Sequence, residues 1–442
     1  MKRTIWKKLN EWKNKKGRKP LILKGARQVG KTYILHLFGQ AHFTNYHYYN
    51  FEKEPQIKNI FEKDLKPNRI IQELSIYSNR PIEKDSLIIF DEIQNIPKAL
   101  TSLKYFHEEI PEQAVCTAGS LLGIHLTPES FPVGNVEFLN LYPMSFEEFL
   151  LAQNEIRILD YLNKHSKINN IPDIVHEKLW EQLKIYFILG GLPEVIKTYL
   201  EYKGNLLTAI EKTRNLQNNI IKTYLADIAK HAGKQNAMHI ERLWQNIPNQ
   251  LAKEQNGSAP KFTFKNIIPG INRYSKLAGS IDWLEKAGLI IKVPIVNSGE
   301  LPFKAHSQEN IFKLYLFDIG ILGALSELPP SVILDYNYGS YKGYFAENFA
   351  AQEFLYSGTE HLYCWREGKS EVEFLREFMG QVLPVEIKSG WVTQAKSLKV
   401  FANKYQIPYR TIMSAKNKHV DTKNKVYHYP LYLAANFPLE KL

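Results

Sequence analysis

Residues 25–32 read Gly25-Ala26-Arg27-Gln28-Val29-Gly30-Lys31-Thr32, the full G-x-x-x-x-G-K-[ST] spacing of a phosphate-binding loop. The apolar run Leu21-Ile22-Leu23 precedes it, and the helix-like run Tyr33-Ile34-Leu35-His36-Leu37-Phe38 follows it. A strand, a loop and a helix are therefore expected in that order. In such a loop the backbone N–H groups face the α- and β-phosphates of a nucleotide, helped by the positive end of the next helix. Lys31 is expected to reach the β- and γ-phosphates of ATP, and Thr32 to hold Mg²⁺ through its hydroxyl.

A partner for this loop stands further along. Residues 86–95 read Ser-Leu-Ile-Ile-Phe-Asp-Glu-Ile-Gln-Asn, and the four apolar residues 87–90 fit a buried strand of a parallel sheet. Asp91 and Glu92 fall at its C-terminal end, where open α/β sheets place their chemistry. Asp91 is expected to orient Mg²⁺ through water, and Glu92 to polarise the water that attacks the γ-phosphate. A third strand, Ala114-Val115-Cys116-Thr117-Ala118, runs into Gly119-Ser120. Ser120, or Thr117 nearby, can position that water or sense the γ-phosphate; either can instead cap a helix.

At 442 residues the chain needs more than one core. The patterning predicts a parallel P-loop ATPase core over 1–145, helices completing it over 146–234, a winged-helix-like region over 235–330 and a C-terminal α/β domain over 331–442. No apolar run approaches the length of a membrane-spanning helix, and the basic start lacks the apolar core of a secretory signal. Cys116 and Cys364 lie far apart and outside any metal-binding spacing, so they read as buried free thiols of a cytoplasmic protein. The net charge of +12, with ten Lys or Arg against Glu11 alone in the first 24 residues, favours an acidic partner such as nucleic acid. A solvated Lys-rich surface accounts for the same charge.

In the middle of the chain apolar residues recur at helical intervals, interrupted at Gly190-Gly191. Residues 249–260 read as a loop. Residues 274–287 read as a helix ended by Gly288, followed by the strand-like Leu289-Ile290-Ile291-Lys292-Val293. Helix plus strand fits the end of a winged helix, which would bring Asn272, Arg273 and Lys276 towards DNA; winged helices also serve as plain packing modules. In the last domain Glu347 sits on a helical, otherwise apolar segment. Glu371-Val372-Glu373-Phe374-Leu375 and Val382-Leu383-Pro384-Val385-Glu386-Ile387-Lys388 alternate as strands of a hairpin. Glu386 and Lys388 are two apart and share a face, with Glu373 opposite. Two carboxylates so placed can hold a second divalent metal, with Lys388 orienting water.

The loop at 25–32, Phe90-Asp91-Glu92-Ile93-Gln94 and Thr117-Ala118-Gly119-Ser120 resemble motifs of a bacterial and archaeal AAA+-type ATPase family whose core is joined to a C-terminal domain, DUF4143. Leu141-Tyr142-Pro143-Met144-Ser145-Phe146-Glu147-Glu148-Phe149, Gly190-Gly191-Leu192-Pro193-Glu194 and Lys313-Leu314-Tyr315-Leu316-Phe317-Asp318-Ile319-Gly320 extend the resemblance over nearly the whole chain. It implies that Ser120 is the first sensor. Members of that family often carry a Gly-Arg pair where this chain has Gly134-Asn135, and no Arg occurs between Arg80 and Arg157. An Arg from elsewhere, Arg214 or Arg242 or one from a second copy in a homo-oligomer, must then substitute, or hydrolysis is slow. The C-terminal part resembles the PD-(D/E)xK nuclease fold, with Glu373 where Asp is usual, Glu386-Ile387-Lys388 as E-x-K, Glu347 on the first helix and residues 391–401 as the following helix. These readings leave an ATP-driven switch on DNA or a protein client, an ATP-regulated metal-dependent nuclease, and a protein-remodelling or structural interaction module.

Overall fold

The computed structural model describes residues 1–119, 131–165, 170–252, 261–265, 267–336, 339, 341–391 and 395–438. Packing divides the chain into two compact units. One is made of Lys2–Tyr142 with Lys286–Gly288, the other of Met1, Pro143–Glu285 and Leu289–Leu442.

The first unit is built on a parallel sheet of five strands: β1 (Leu21–Lys24), β2 (Tyr46–Asn50), β3 (Leu87–Asp91), β4 (Ala114–Gly119) and β5 (Glu137–Asn140). They lie in the order β2-β3-β4-β1-β5. The apolar run of β3 is buried on both faces, as a strand covered by helices on each side requires. Pro67 and Pro97 open two of the flanking helices, where a missing N–H costs nothing. Phe51, Phe61, Phe90 and Phe106 fill one core layer beneath them. Because the strands are parallel and β4 lies between β1 and β3, the phosphate loop after β1 and the acidic pair after β3 open on one edge. Gly25 begins the loop at φ 154°, and a Cβ there would lie 2.2 Å from the Leu141 carbonyl oxygen, so only glycine fits.

The second unit contains a run of helices over 146–286 and a mixed sheet of eight strands. These are β6 (Ile290–Val296), β7 (Ser307–Leu316), β8 (Tyr363–Glu367), β9 (Ser370–Phe378), β10 (Gln381–Ile387), β11 (Arg410–Ser414), β12 (His419–Asp421) and β13 (Val426–Pro430). The order is β12-β13-β11-β10-β9-β8-β6-β7. β6 and β7 form the antiparallel hairpin after helix Tyr274–Lys286, and β6 also pairs in parallel with β8 through Ile295 and Cys364. The boundary expected at 330/331 therefore lies within the span of one sheet. Both cysteines are buried and free.

Helix Tyr341–Tyr356 is buried on all sides from Tyr344 to Phe354, so its polar residues must find partners inside. Asn348 accepts from the Leu316 N–H (2.8 Å) and donates to the Leu316 carbonyl (2.9 Å), closing off the end of β7 as a neighbouring strand would. Gln352 accepts from the Ile319 N–H and donates to the Tyr186 hydroxyl. Glu353 accepts from the Phe146 N–H at 3.1 Å, at the start of helix Phe146–Ala152.

Three of the motifs noted in the sequence meet beside this helix. The buried Asp318 carboxylate accepts from the Gly191 N–H (2.7 Å) and the Ile321 N–H (3.0 Å), capping helix Ile319–Leu325. A Cβ on Gly190, which has φ 69°, would fall 2.1 Å from Asp318 Oδ1. A Cβ on Gly191 would fall 2.1 Å from the Met144 carbonyl oxygen, while the Met144 N–H donates to Gly191 O at 2.6 Å. Gly190-Gly191 thus brings backbones together and seats a carboxylate. Asp318→Ala leaves buried donors without an acceptor and is expected to cost roughly 3 kcal/mol; Gly190→Ala should be at least as damaging, both read from urea melts of the full chain.

Burial pushes Glu353 up to about 8 against the pull of the Phe146 N–H, with Glu148 and Glu147 adding to the rise. Its folded value lies above its unfolded one, so the fold binds a proton that the unfolded chain has released. Stability from this residue is present at low pH and is lost as pH rises from about 4.5 through about 8. Glu353→Gln removes that slope. Its thermal midpoint should match the wild type near pH 5 and exceed it at pH 8.5, and a constant offset across that range contradicts the assignment.

Candidate nucleotide site and C-terminal carboxylate centre

Helix Lys31–His42 starts directly after the loop, with Gln28 and Gly30 in left-handed conformation. The Lys31 ammonium is buried and donates to the carbonyls of Gly25 (2.8 Å) and Ala26 (2.7 Å). Burial pulls its pKa down to about 8, against the opposing pull of Glu92 and Asp91. Arg3 anchors the loop from outside, donating to the Val29 carbonyl at 2.9 Å and the Tyr142 carbonyl at 2.7 Å. In the sequence Arg3 is one basic residue among many, and no signal sets it apart.

Asp91 collects the polar groups of the edge. Its Oδ2 accepts from the Thr32 hydroxyl (2.7 Å) and the Tyr48 hydroxyl (2.8 Å), and its Oδ1 accepts from the Glu92 N–H (3.0 Å). Asn50 donates to the Tyr48 oxygen at 3.0 Å. Tyr48 and Asn50 went unread in the sequence because β2 carries no motif; the alternation Tyr-His-Tyr-Tyr-Asn at its end is the only trace. Glu92 stands in left-handed conformation at φ 51°, with Oε2 accepting from Gln94 at 2.5 Å. Burial raises its pKa, while the Gln94 hydrogen bond works the other way. Lys31, Thr32, Asp91 and Glu92 are thus brought together, and a hydroxyl and carboxylate sharing one contact is a donor set suited to Mg²⁺ and a nucleotide phosphate.

Ser120 lies outside the described residues. Thr117 sits on β4 between β3 and β1, fully buried, its hydroxyl without a hydrogen-bond partner. Asn135 is tied to His107 at 2.8 Å and to the Val133 carbonyl. Arg214 is packed in the second unit against Gly323, its guanidinium nitrogens buried without hydrogen-bond partners, and burial pulls its pKa down to about 10. Arg242 is exposed on helix Lys234–Leu251, and Asn272, Arg273 and Lys276 are exposed around the start of helix Tyr274–Lys286.

In the C-terminal sheet β9 and β10 form the antiparallel hairpin, with Phe374 opposite Val385. The Glu373 and Glu386 carboxyl groups neighbour each other, and Lys388 Nζ lies 2.6 Å from Glu386 Oε1. Burial, then the neighbouring Glu386, pushes Glu373 up to about 8. Glu347 has close partners of its own. Its Oε2 accepts from the Tyr315 hydroxyl at 2.7 Å and lies 3.4 Å from the Lys313 ammonium. Lys313 also pairs with Glu371, whose other oxygen is 2.8 Å from Arg366 Nε. Among the described residues no group of three or more His, Cys, Asp or Glu is placed to hold a metal ion. No helix of the described residues is long and apolar enough to cross a membrane.

Residues 17–150 match an AAA domain, residues 180–332 a domain of unknown function, DUF8612, and residues 342–433 a second one, DUF4143. The chain joins an AAA-type ATPase domain to a DUF4143 domain. No curated protein matches it. Among solved structures it is similar to the Walker-type ATPase PABY2304 of Pyrococcus abyssi, at 15% identity over 72% of this chain and 94% of that one, with TM-score 0.46. The Thermotoga maritima RuvB Holliday junction branch migration motor follows at 14% identity, over 66% and 89%, with TM-score 0.31. Cdc6p from Pyrobaculum aerophilum is similar at 15% identity, over 74% and 91%, with TM-score 0.26.

The tie between Tyr48 and Asp91 has a measurable consequence for the AAA domain. Tyr48→Phe removes one donor from Asp91 and should weaken Mg²⁺-dependent ATP binding by about tenfold, leaving binding in EDTA unchanged. Titration of a fluorescent ATP analogue with and without Mg²⁺ reads both, and equal losses in the two conditions would assign Tyr48 to packing alone.

Proposed function

We propose that this chain is a Mg²⁺-dependent ATP-binding protein whose AAA domain hydrolyses ATP slowly and whose nucleotide state switches its engagement of DNA or a protein partner. The observation that carries this is the convergence of Thr32 on Asp91 beside Lys31 and Glu92. Residues 25–32 bind the phosphates, Lys31 neutralises the β- and γ-phosphates, and Thr32 and Asp91 hold Mg²⁺. Glu92 orients the attacking water, with Ser120 as its sensor. Binding requires Lys31 to leave the carbonyls of Gly25 and Ala26, and its depressed pKa reflects a burial that an anion would offset.

Slow turnover follows from charge. No Arg lies between Arg80 and Arg157, and Asn135 is committed to His107. An Arg from a second copy in a homo-oligomer would supply what is missing, and light scattering with and without MgATP tests for one. On the partner side, helix Tyr274–Lys286 followed by the β6–β7 hairpin supports a winged-helix reading, with Asn272, Arg273 and Lys276 exposed to meet a DNA backbone. A protein client fits the same switch.

A nuclease reading has one observation in its favour. Helix Tyr341–Tyr356, strands β8, β9 and β10, helix Lys396–Tyr405 and strand β11 follow one another in the order the PD-(D/E)xK resemblance implies, and Glu373, Glu386 and Lys388 meet. Lys313 and Lys388 already meet the carboxylates there, which supports reading the C-terminal domain as a binding and structural one.

Lys31→Ala should abolish tight ATP binding, and Glu92→Gln should keep ATP bound but lower turnover by at least about a hundredfold. Both are read by equilibrium binding and single-turnover hydrolysis; equal ATP affinity in Lys31→Ala and wild type would sink the assignment. Turnover measured with double-stranded DNA, single-stranded DNA, RNA and no nucleic acid separates a DNA switch, which one of them stimulates, from a protein-directed one.

A further inference from the structure

Lys313 lies on β7 in the stretch Lys-Leu-Tyr-Leu, with both side-chain faces of the strand covered. Its side chain is 0% exposed. A lysine is almost never buried to this degree unless its charge is met. Here it is met by Glu347 of helix Tyr341–Tyr356 at 3.4 Å and by Glu371 of β9. Tyr315, two residues on along the same face of β7, donates to the same Glu347 oxygen. Arg366 of β8 takes the second oxygen of Glu371, and Lys388, the residue after β10, takes Glu386.

We infer that the Lys313 ammonium is the resident cation of the C-terminal carboxylate centre, balancing Glu347 and Glu371 permanently and leaving the centre independent of divalent metal. The geometry differs from a metal site in kind. A hydrolytic divalent ion needs several oxygens within about 2.0–2.6 Å, some of them open to water and substrate. Glu347 instead accepts from a phenol and faces an ammonium at hydrogen-bonding and ion-pair distances. Glu373 neighbours Glu386 and accepts from the Ile387 N–H at 3.3 Å. A divalent ion entering here would meet Lys313 and Lys388, two fixed cations, before any free carboxylate pair. A tethered ammonium also costs no binding equilibrium and keeps its place at any metal concentration. It joins the β6–β7 hairpin, helix Tyr341–Tyr356 and the β8–β9 strands at one point, so its work is to hold the sheet together.

The test uses the full chain carrying Lys31→Ala together with Asp91→Asn, without nucleotide, so that the AAA domain lacks the carboxylate assigned to its Mg²⁺. Mn²⁺ titration followed by electron paramagnetic resonance should show no saturable site tighter than about 1 mM. Mn²⁺ should leave the thermal midpoint unchanged. Adding Lys313→Met leaves the buried Glu347 without its ammonium and Glu371 with Arg366 alone, and should lower the midpoint by several degrees. Mn²⁺ should then recover part of the loss, and a further Glu347→Gln should recover part of it without metal. A saturable Mn²⁺ site in the Lys31→Ala, Asp91→Asn chain that Glu386→Gln removes would overturn the inference, as would Mn²⁺-dependent cleavage of nucleic acid lost with the same substitution. Should Lys313→Met fail to fold, the Mn²⁺ titration of the Lys31→Ala, Asp91→Asn chain decides alone. None of these outcomes bears on ATP binding, which is read separately at Lys31 and Glu92.

Discussion

Asp318, a buried carboxylate that meets no side-chain cation among the described residues, ties together distant segments of the second unit. Asp318 is buried and answers backbone N–H groups from two segments, Gly191 and Ile321, in the space that Gly190 leaves by lacking a side chain. Burial lifts its pKa to about 6, and the Gly191, Ile321 and Gly320 N–H groups pull against that rise. Around it Gln217 donates to the carbonyls of Ile188 and Leu189, and Gly320 packs on Leu189. Met144, Gly191 and Tyr186 close the other side. Segments far apart in the chain meet there through backbone atoms, so their identities are set by space and hydrogen bonding rather than by chemistry done to a substrate.

The first unit obeys a different constraint. A parallel sheet with covered faces offers polar chemistry one outlet, the edge where its strands end. Lys31, Thr32, Asp91 and Glu92 stand on that edge, and Tyr48 and Asn50 at the end of β2 extend the hydrogen-bonded line outwards. Each of these six side chains is engaged by another protein group, so the edge is set in advance.

How far this could be read from sequence depends on what specified each feature. The loop at 25–32 and Asp91-Glu92 were legible because residue identity and spacing carry the chemistry. Glu386 and Lys388 were legible because a strand has a period of two, and they meet at 2.6 Å. The helices around Gly190-Gly191 were legible, but not the carboxylate seated there, because Asp318 comes from a segment more than a hundred residues on. Lys313 was quoted in a motif yet unread, since nothing local says that an alternating strand hides its lysine. Arg3 and Tyr48 act through the loop backbone and through Asp91, and such partnerships appear only once the chain is folded. The β6–β7 hairpin followed its helix as patterned, while its parallel pairing with β8 is a long-range event that periodicity does not encode.

That pairing decides where the chain can be cut. β8 has β9 on one side and β6 on the other, and β6 comes from a segment preceding residue 330. A fragment beginning after that point would present β8 as a bare edge, with Trp365 and Val372 beside it in an apolar core and the Lys313 charge gone from Glu347 and Glu371. Exposed edges of this kind recruit other strands. The matched span of residues 342–433 leaves out the strand that covers one edge of β8, and biochemical dissection of this protein is better served by keeping residues 143–442 in one piece.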